Sequence, residues 1–299
     1  MFDSPRMSLR NRLTKDLRER VTLMPAFPWK LRQWTRADQE RCFDGSELKP
    51  GQVLLSQGAA IVLEGWNQVR RTCADRALAV AMLHADLSER VVIDTNLVPW
   101  TRSPQPGVWR RMLERAGAEA GRATSIVRYE PGSQFPPHKH PLGEEFFVLD
   151  GVFSDEYGDY PAGTYVLNPA GSGHAPASSE GCVLFVKLCQ YAGPDRERVV
   201  LDTVRMEWHP GLAPGIWEKG LYCSPSHPEH VALLRWEKGA RYPHHEHTGG
   251  EEFLVLDGAL VDEMGRYPRG TWVRNPPGGG HTPLSPGGCV LLLKTGGVY

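Results

Sequence analysis

The chain has 299 residues, 34 Lys/Arg against 35 Asp/Glu, 40% apolar and 23% charged side chains. These are ordinary globular values, so a fully disordered chain, a collagen-like fibre and a membrane bundle are excluded, and the length suits about two domains. A net charge of −1 gives no reason to expect nucleic acid or an anionic membrane as a partner.

Residues 1–81 differ in composition from the rest. They carry 14 Lys/Arg and 9 Asp/Glu, a net of +5, which leaves −6 for the remainder, and all eleven histidines lie at or after His84. This segment is expected to stand outside the folded body, as a disordered or small helical appendage or as an incorrect start, with Met82 as a natural alternative beginning. The Ala- and Leu-rich run Arg71–Leu87 suits a single helix. No apolar stretch is long enough for a transmembrane helix, and the Arg-rich N-terminus has no signal-like apolar region. Six cysteines in a chain of this length are too sparse for a disulfide scaffold. A reducing cytoplasm is therefore the expected location.

From Val91 onward the chain repeats itself. Val91-Val92-Ile93-Asp94-Thr95, Trp100 and Pro106-Gly107-Val108-Trp109 recur 108 residues later as Val199-Val200-Leu201-Asp202-Thr203, Trp208 and Pro214-Gly215-Ile216-Trp217. After a one-residue deletion the offset becomes 107 and holds to the end, so that Glu144–Gly151 answers to Glu251–Gly258. Such a period is too long for a solenoid unit and has the length of a small domain. It predicts a tandem duplication, residues 82–192 and 193–299, joined near Ala192–Arg198.

Each copy reads as all-β. Short runs rich in Val, Phe, Tyr and Leu alternate with Gly, Pro and Asp at intervals typical of antiparallel strands. Strands are predicted at Thr124–Tyr129, Glu145–Leu149, Gly163–Leu167 and Val183–Leu188, and at Ala232–Trp236, Glu252–Leu256, Gly270–Arg274 and Val290–Lys294. A jelly-roll or barrel-like sandwich accommodates this pattern.

The residues that carry chemistry recur in both copies. Gly132, His138, His140, Glu144, Gly151, Gly163, Pro169, Gly171 and His174 have the same intervals as Gly239, His245, His247, Glu251, Gly258, Gly270, Pro276, Gly278 and His281. Strand residues at i and i+2 share a face, so His138 and His140 project together. A turn at Pro141-Leu142-Gly143 brings Glu144 back beside them, and His174 arrives from a later strand. Three imidazoles and one carboxylate suit a transition metal such as zinc, iron or manganese rather than calcium or magnesium. Glu144 and Glu145 are adjacent, so at most one of them faces the metal. A lone His-x-His most often marks a surface strand, but a complete set kept in two copies favours metal sites.

The block Gly-x5-His-x-His-x3-Glu-x6-Gly followed by Gly-x5-Pro-x-Gly-x2-His resembles the two motifs of the cupin superfamily. The wording His-x-His-x3-Glu-Glu-Phe with Tyr-Pro-x-Gly-Thr-Tyr/Trp-Val is most similar to the ChrR-like cupin family. That family takes its name from the cupin half of an anti-sigma factor and includes acetylacetone dioxygenase-like relatives. The resemblance covers about Leu83–Tyr299. It implies a bicupin, that is, tandem double-stranded β-helix (jelly-roll) barrels. It also implies two divalent ions (Zn, Fe or Mn), held by His138, His140, Glu144 and His174 and by His245, His247, Glu251 and His281. Two functions follow as expectations: a regulatory or stress-response metalloprotein, or an Fe(II)/Mn(II)-dependent dioxygenase acting on a small diketone-like or carboxylated substrate. Residues 1–81 contain no His and only Cys42 and Cys73. They cannot supply the zinc cluster of the anti-sigma factor's helical domain, which puts sigma-factor binding in doubt. A small-molecule ligand and a homodimer stay open.

The remaining features have plainer readings. Cys182 and Cys289 sit at strand starts as small apolar groups. Trp100, Trp109, Trp208 and Trp217 pack the leading strands against their own or the other barrel. Arg128 and Arg235 are the best substrate-pocket candidates beyond the ligands, although a structural role suits them better. His227 and His230 are expected on the surface, and His244, facing away from its neighbour His245, outside the ligand set.

Overall fold

The computed structural model describes residues 53–56, 59–62, 82–117, 121–193 and 195–298, and the chain divides into compact units at Arg76/Ala77. Of the first unit only two short antiparallel strands, Val53–Ser56 and Ala59–Val62, are described. The rest of the appendage expected over 1–81, and the first part of the helix expected over Arg71–Leu87, lie outside the described residues. The described part of that segment is not helical. Met82–Leu83 is a strand paired with Ala116 and Arg115. His84 has a φ of 48°, and its carbonyl and that of Asp86 accept hydrogen bonds from Arg274 at 2.8 and 2.7 Å. Tertiary bonds thus take the carbonyls that a helix would have used, and they override the local propensity.

Among the described residues of 82–298 there is no helix. The chain builds two large antiparallel sheets and, against each, a two-stranded sheet. The first large sheet runs, neighbour to neighbour, through Val199–Asp202, Thr164–Asn168, Glu144–Asp155, Cys182–Leu188, Arg122–Tyr129, Val108–Ala116 and Met82–Leu83. The second runs through His209–Pro210, Ile216–Ser224, His227–Trp236, Cys289–Thr295, Glu251–Asp262, Thr271–Asn275 and Val91–Asp94. The predicted strands are all present, several of them longer than the sequence pattern indicated.

The end strands are exchanged. Val91–Asp94 of the first repeat closes the second sheet, with Thr271 opposite Asp94 and Arg274 opposite Val91. Val199–Asp202 of the second repeat closes the first sheet, with Thr164 opposite Asp202 and Leu167 opposite Val199. Each exchanged arm is pinned at its end by a threonine. Thr95 Oγ1 donates to Gly270 O at 2.7 Å and Thr203 Oγ1 to Gly163 O at 2.6 Å.

Packing reinforces this exchange. Each barrel has its own core, around Phe146, Phe153 and Tyr160 in the first and Phe253, Leu260 and Tyr267 in the second. A further core is shared: Val91, Leu113, Phe147, Tyr165 and Phe185 pack with Leu233, Leu254, Trp272 and Leu292, with Trp100 and Trp208 at its margin. Burying each of the larger of these side chains contributes about 1.5–3 kcal/mol, so a separated barrel would forfeit a core as well as a strand.

Charges are buried in the same interface. Glu145 and Glu252, and Lys187 and Lys294, are repeat equivalents, and all four are buried. They pair across the copies: Lys187 Nζ donates to Glu252, and Lys294 Nζ lies 3.9 Å from Glu145 Oε2. Burial by itself raises the Glu252 carboxyl, but Lys187 and Lys294 outweigh it and hold the group below the usual range. At Glu145 burial prevails and its carboxyl is raised.

Gly151 and Gly258 show why the motif ends in glycine. They follow bulges at Val148/Asp150 and Val255/Asp257 and take φ of 72° and 68°. A Cβ on either would lie 2.1 Å from the carbonyl oxygen of Gly181 or Gly288. Neither the backbone angle nor the space admits a side chain.

Candidate metal centres

The two small sheets hold the histidines. His138–His140 pairs with Ser172–His174 so that His138 lies opposite His174, and His245–His247 pairs with Gly279–His281 so that His245 lies opposite His281. The i, i+2 spacing puts both rings of each His-x-His on one face, and the register delivers the third ring between them. The glutamates start the long strands Glu144–Asp155 and Glu251–Asp262.

In the second barrel His245, His247, Glu251 and His281 each offer a ligand atom within 4.8 Å of all the others. His247 Nε2 lies 3.4 Å from Glu251 Oε2, and His281 Nε2 lies 3.7 Å from Glu251 Oε1. In the first barrel His138, His140 and His174 satisfy the same limit. Glu144 Oε2 stands 3.5 Å from His140 Nε2 and 3.4 Å from His174 Nε2, but it is not gathered with His138 to the same closeness. The adjacent glutamates divide as strand alternation requires: Glu144 and Glu251 turn to the histidines, Glu145 and Glu252 to the lysines between the barrels.

The donor set fits a cation. His247 Nε2 and His281 Nε2 are buried and have no hydrogen-bond partner, which buried ring nitrogens rarely tolerate. In the first barrel His140 Nε2 and His174 Nε2 converge to hydrogen-bond distance, 3.0 Å, so both nitrogens are aimed at one point. Burial, with the neighbouring imidazoles, pushes His140 and His247 down to about 4, which keeps both rings neutral and able to ligate near pH 7. Burial also raises Glu144, and raises Glu251 to about 7 against the pull of His281 and Asn275.

A second layer of hydrogen bonds, not anticipated from the sequence, orients the ligands. Nδ1 of His174 bonds Asp155 Oδ2 at 3.1 Å, and Nδ1 of His281 bonds Asp262 Oδ2 at 3.0 Å. Nδ1 of His138 and of His245 bonds the carbonyls of Pro136 and Pro243 at 2.9 and 3.0 Å. Asn168 Nδ2 donates to Glu144 Oε2, and Asn275 Nδ2 to Glu251 Oε1, both at 3.0 Å. With Nδ1 committed, Nε2 of each of these four rings is the nitrogen left for a metal. Such partners commonly fix the tautomer of a ligating histidine. Their sequence signal was available: Asp155/Asp262 and Asn168/Asn275 keep the 107-residue register.

The other singled-out residues lie elsewhere. The Arg128 guanidinium lies over Trp100 and Trp109 at 4.6 and 5.7 Å, and that of Arg235 over Trp208 and Trp217 at 4.8 and 5.6 Å. These are stacking contacts on indole faces, and neither arginine is gathered with the histidines. His244 is exposed, with Nδ1 3.3 Å from Thr282 Oγ1. His227 and His230 were expected on the surface but are half-buried on the strand His227–Trp236. His227 faces the Tyr222 hydroxyl at 3.1 Å and His230 faces Glu218 at 3.2 Å. Cys182 and Cys289 are buried, and burial pushes both thiols up to about 11.

Two jelly-roll barrels, each with a three-histidine cluster and a glutamate beside it, define a bicupin with two clusters that could hold metal ions. The model of the ChrR cupin-like domain matches residues 88–192 and again 196–299, and the chain belongs to that family. Among solved structures it is similar to a candidate dioxygenase from Nostoc punctiforme, at 18% identity and TM-score 0.58, covering 69% of this chain and 82% of that one. It is also similar to a candidate glyoxylate-induced protein from Pseudomonas aeruginosa, at 16% identity and TM-score 0.57 over 75% and 92% of the two chains. YlbA from E. coli matches at 14% identity and TM-score 0.57 over 75% and 95%. At these identities the likeness is one of fold. Comparison with curated proteins gave no match.

Proposed function

We propose that this chain is a cytoplasmic metalloprotein that holds a divalent transition-metal ion (zinc, iron or manganese) in each barrel and serves a regulatory or stress-response role. The observation that carries this reading is the duplication of whole sites: both copies keep three histidines, a glutamate and the same Asp and Asn partners. His138, His140, Glu144 and His174 would hold one ion, and His245, His247, Glu251 and His281 the other. A bound ion would supply Lewis-acid or redox chemistry.

A metal-dependent dioxygenase is the second reading, on one specific observation. His138 and His245 are only half-buried while the other two histidines of each cluster are buried, so each cluster is open on one side. Four protein ligands close a tetrahedral ion but leave two positions on an octahedral one. The test is oxygen uptake by the anaerobically Fe(II)-loaded protein with β-diketones, hydroxyketones and aromatic acids. The regulatory reading expects no turnover. Rapid turnover of one of them, abolished by His174→Ala with His281→Ala, would replace it with the dioxygenase reading.

A further inference from the structure

The exchanged arms carry more than strand pairing. Arg90 immediately precedes Val91–Asp94, and Arg198 precedes Val199–Asp202, in the same 108-residue register. Arg90 Nε donates to Asn275 Oδ1 at 2.8 Å and Arg90 Nη2 to the Tyr267 hydroxyl at 2.6 Å. Asn275 in turn donates to Glu251, and Tyr267 donates to Asp262 Oδ1 at 2.6 Å, whose other oxygen accepts from His281. Two hydrogen-bond chains therefore leave one guanidinium and end on two members of the second cluster. Arg198 repeats the arrangement on the first barrel. Its Nε donates to Asn168 Oδ1 at 3.0 Å and its Nη2 to the Tyr160 hydroxyl at 2.7 Å, and Tyr160 donates to Asp155 at 2.8 Å.

We propose that Arg90 and Arg198 are positioning residues for the metal centres of the opposite repeats, so that each barrel receives from the other the group that sets the direction of its ligand hydrogen bonds. The inference rests on the metal-binding reading above. The physical argument is one of donors and acceptors. A guanidinium is donor-only. Facing it, Asn275 must present its oxygen, which turns its NH2 group onto the Glu251 carboxylate. Tyr267 must accept from Arg90 and so spends its proton on Asp262. Tyr267 thereby joins the backbone N–H groups of Met264 and Gly265 on Asp262 Oδ1, which leaves Oδ2 to accept the His281 proton from Nδ1 and keeps Nε2 bare. Without the guanidinium the Asn275 amide is free to flip and place an oxygen against Glu251, and the Tyr267 hydroxyl is free to turn from Asp262. A lysine is a single point donor and cannot hold both acceptors in the fork geometry.

The test uses the full chain with Co(II) as the probe, reading its visible absorption band and its affinity one site at a time. His140→Ala with His174→Ala leaves the second site, and His247→Ala with His281→Ala leaves the first. Arg90→Ala is expected to weaken Co(II) binding at the second site up to about 10-fold, below the range for direct partners of metal ligands because it acts one hydrogen bond further out, and to change its absorption band. The first site should keep its affinity. Arg198→Ala should do the converse, and Arg90→Lys should fail to restore the second site. An Arg90→Ala protein with an unchanged second site, or with both sites weakened equally, would overturn the proposal, the latter because a general loss of structure has no preferred barrel. If the parent chain bound no Co(II) at either site, the metal reading itself would fall, an outcome distinct from either of these.

Discussion

The two barrels agree around their clusters and differ at the cluster mouths. Both copies keep three histidines, a glutamate, an aspartate behind the last histidine and an asparagine behind the glutamate. Beside the half-buried first histidine, Phe135 of the first copy stands where the second has Tyr242, and on the opposite face of the same strand Lys139 stands where the second has Glu246. The first His of each pair packs against Phe135 at 5.5 Å or Tyr242 at 4.7 Å between ring centroids. The second cluster also gathers all four groups more tightly. Each site thus keeps the same set of partners, drawn tighter in the second, whereas the aromatic ring beside the half-buried histidine carries a hydroxyl on the second barrel alone. The two clusters offer the same donor types behind different neighbours.

That comparison can be broken most forcefully by removing metal. If both sites bind, each stabilises the folded state by about 4 kcal/mol when free metal is a thousandfold above Kd. Stripping both sites with a chelator should then lower the melting temperature by roughly 20 °C. Calorimetry of the stripped chain, retitrated with Co(II), should recover the loss in two portions rather than one.

The next largest effect concerns the charges between the barrels, where the copies also differ. Glu252→Gln removes one partner of a close buried pair and should cost about 3 kcal/mol near pH 7. Glu145→Gln should cost less, because Glu145 sits farther from its lysine and burial already favours its neutral form. The pH dependence has a definite sign. Glu252 is held below its usual value of 4.5, so its contribution is complete above that value and is lost as the pH falls below it. Urea titrations at pH 7 and pH 3.5 should therefore show the Glu252→Gln penalty shrinking in acid, and a penalty independent of pH would contradict the pairing.

Much of this was legible beforehand. The ligand set stood out because His and Glu at fixed intervals recurred in two copies, and strand alternation separated Glu144 from Glu145. The arm exchange was not legible. Val91–Asp94 has the same alternating pattern whichever sheet it joins, and the other barrel is selected by long-range contacts: the shared core of Phe147, Tyr165, Leu254 and Trp272 and the hydrogen bonds of Thr95 and Arg90. The Asp and Asn partners escaped because single polar residues within strands carry no distinctive spacing. Their repetition was the one available signal.

At the outer layer, Asp155→Asn and Asp262→Asn should each weaken Co(II) binding about 10- to 100-fold at its own site and leave the other unchanged. Isothermal titration of the single-site backgrounds checks this, and equal loss at both sites would show that the two networks are not separate. The smallest effect concerns reactivity rather than energy. Cys182 and Cys289 should resist iodoacetamide at pH 8, because burial shields them and keeps them protonated, while exposed Cys223 should label. Peptide mass mapping distinguishes them, and rapid labelling of either buried thiol would contradict the packing at the strand starts.

The central claim is that the duplication preserved two working metal centres. Elemental analysis of anaerobically purified chain tests it most directly. The account predicts close to two transition-metal ions per chain. It predicts about one in His140→Ala with His174→Ala, about one in His247→Ala with His281→Ala, and none when all four substitutions are combined. A chain with a single ion that persists in one double variant and vanishes in the other would show that only one barrel binds, and would contradict it.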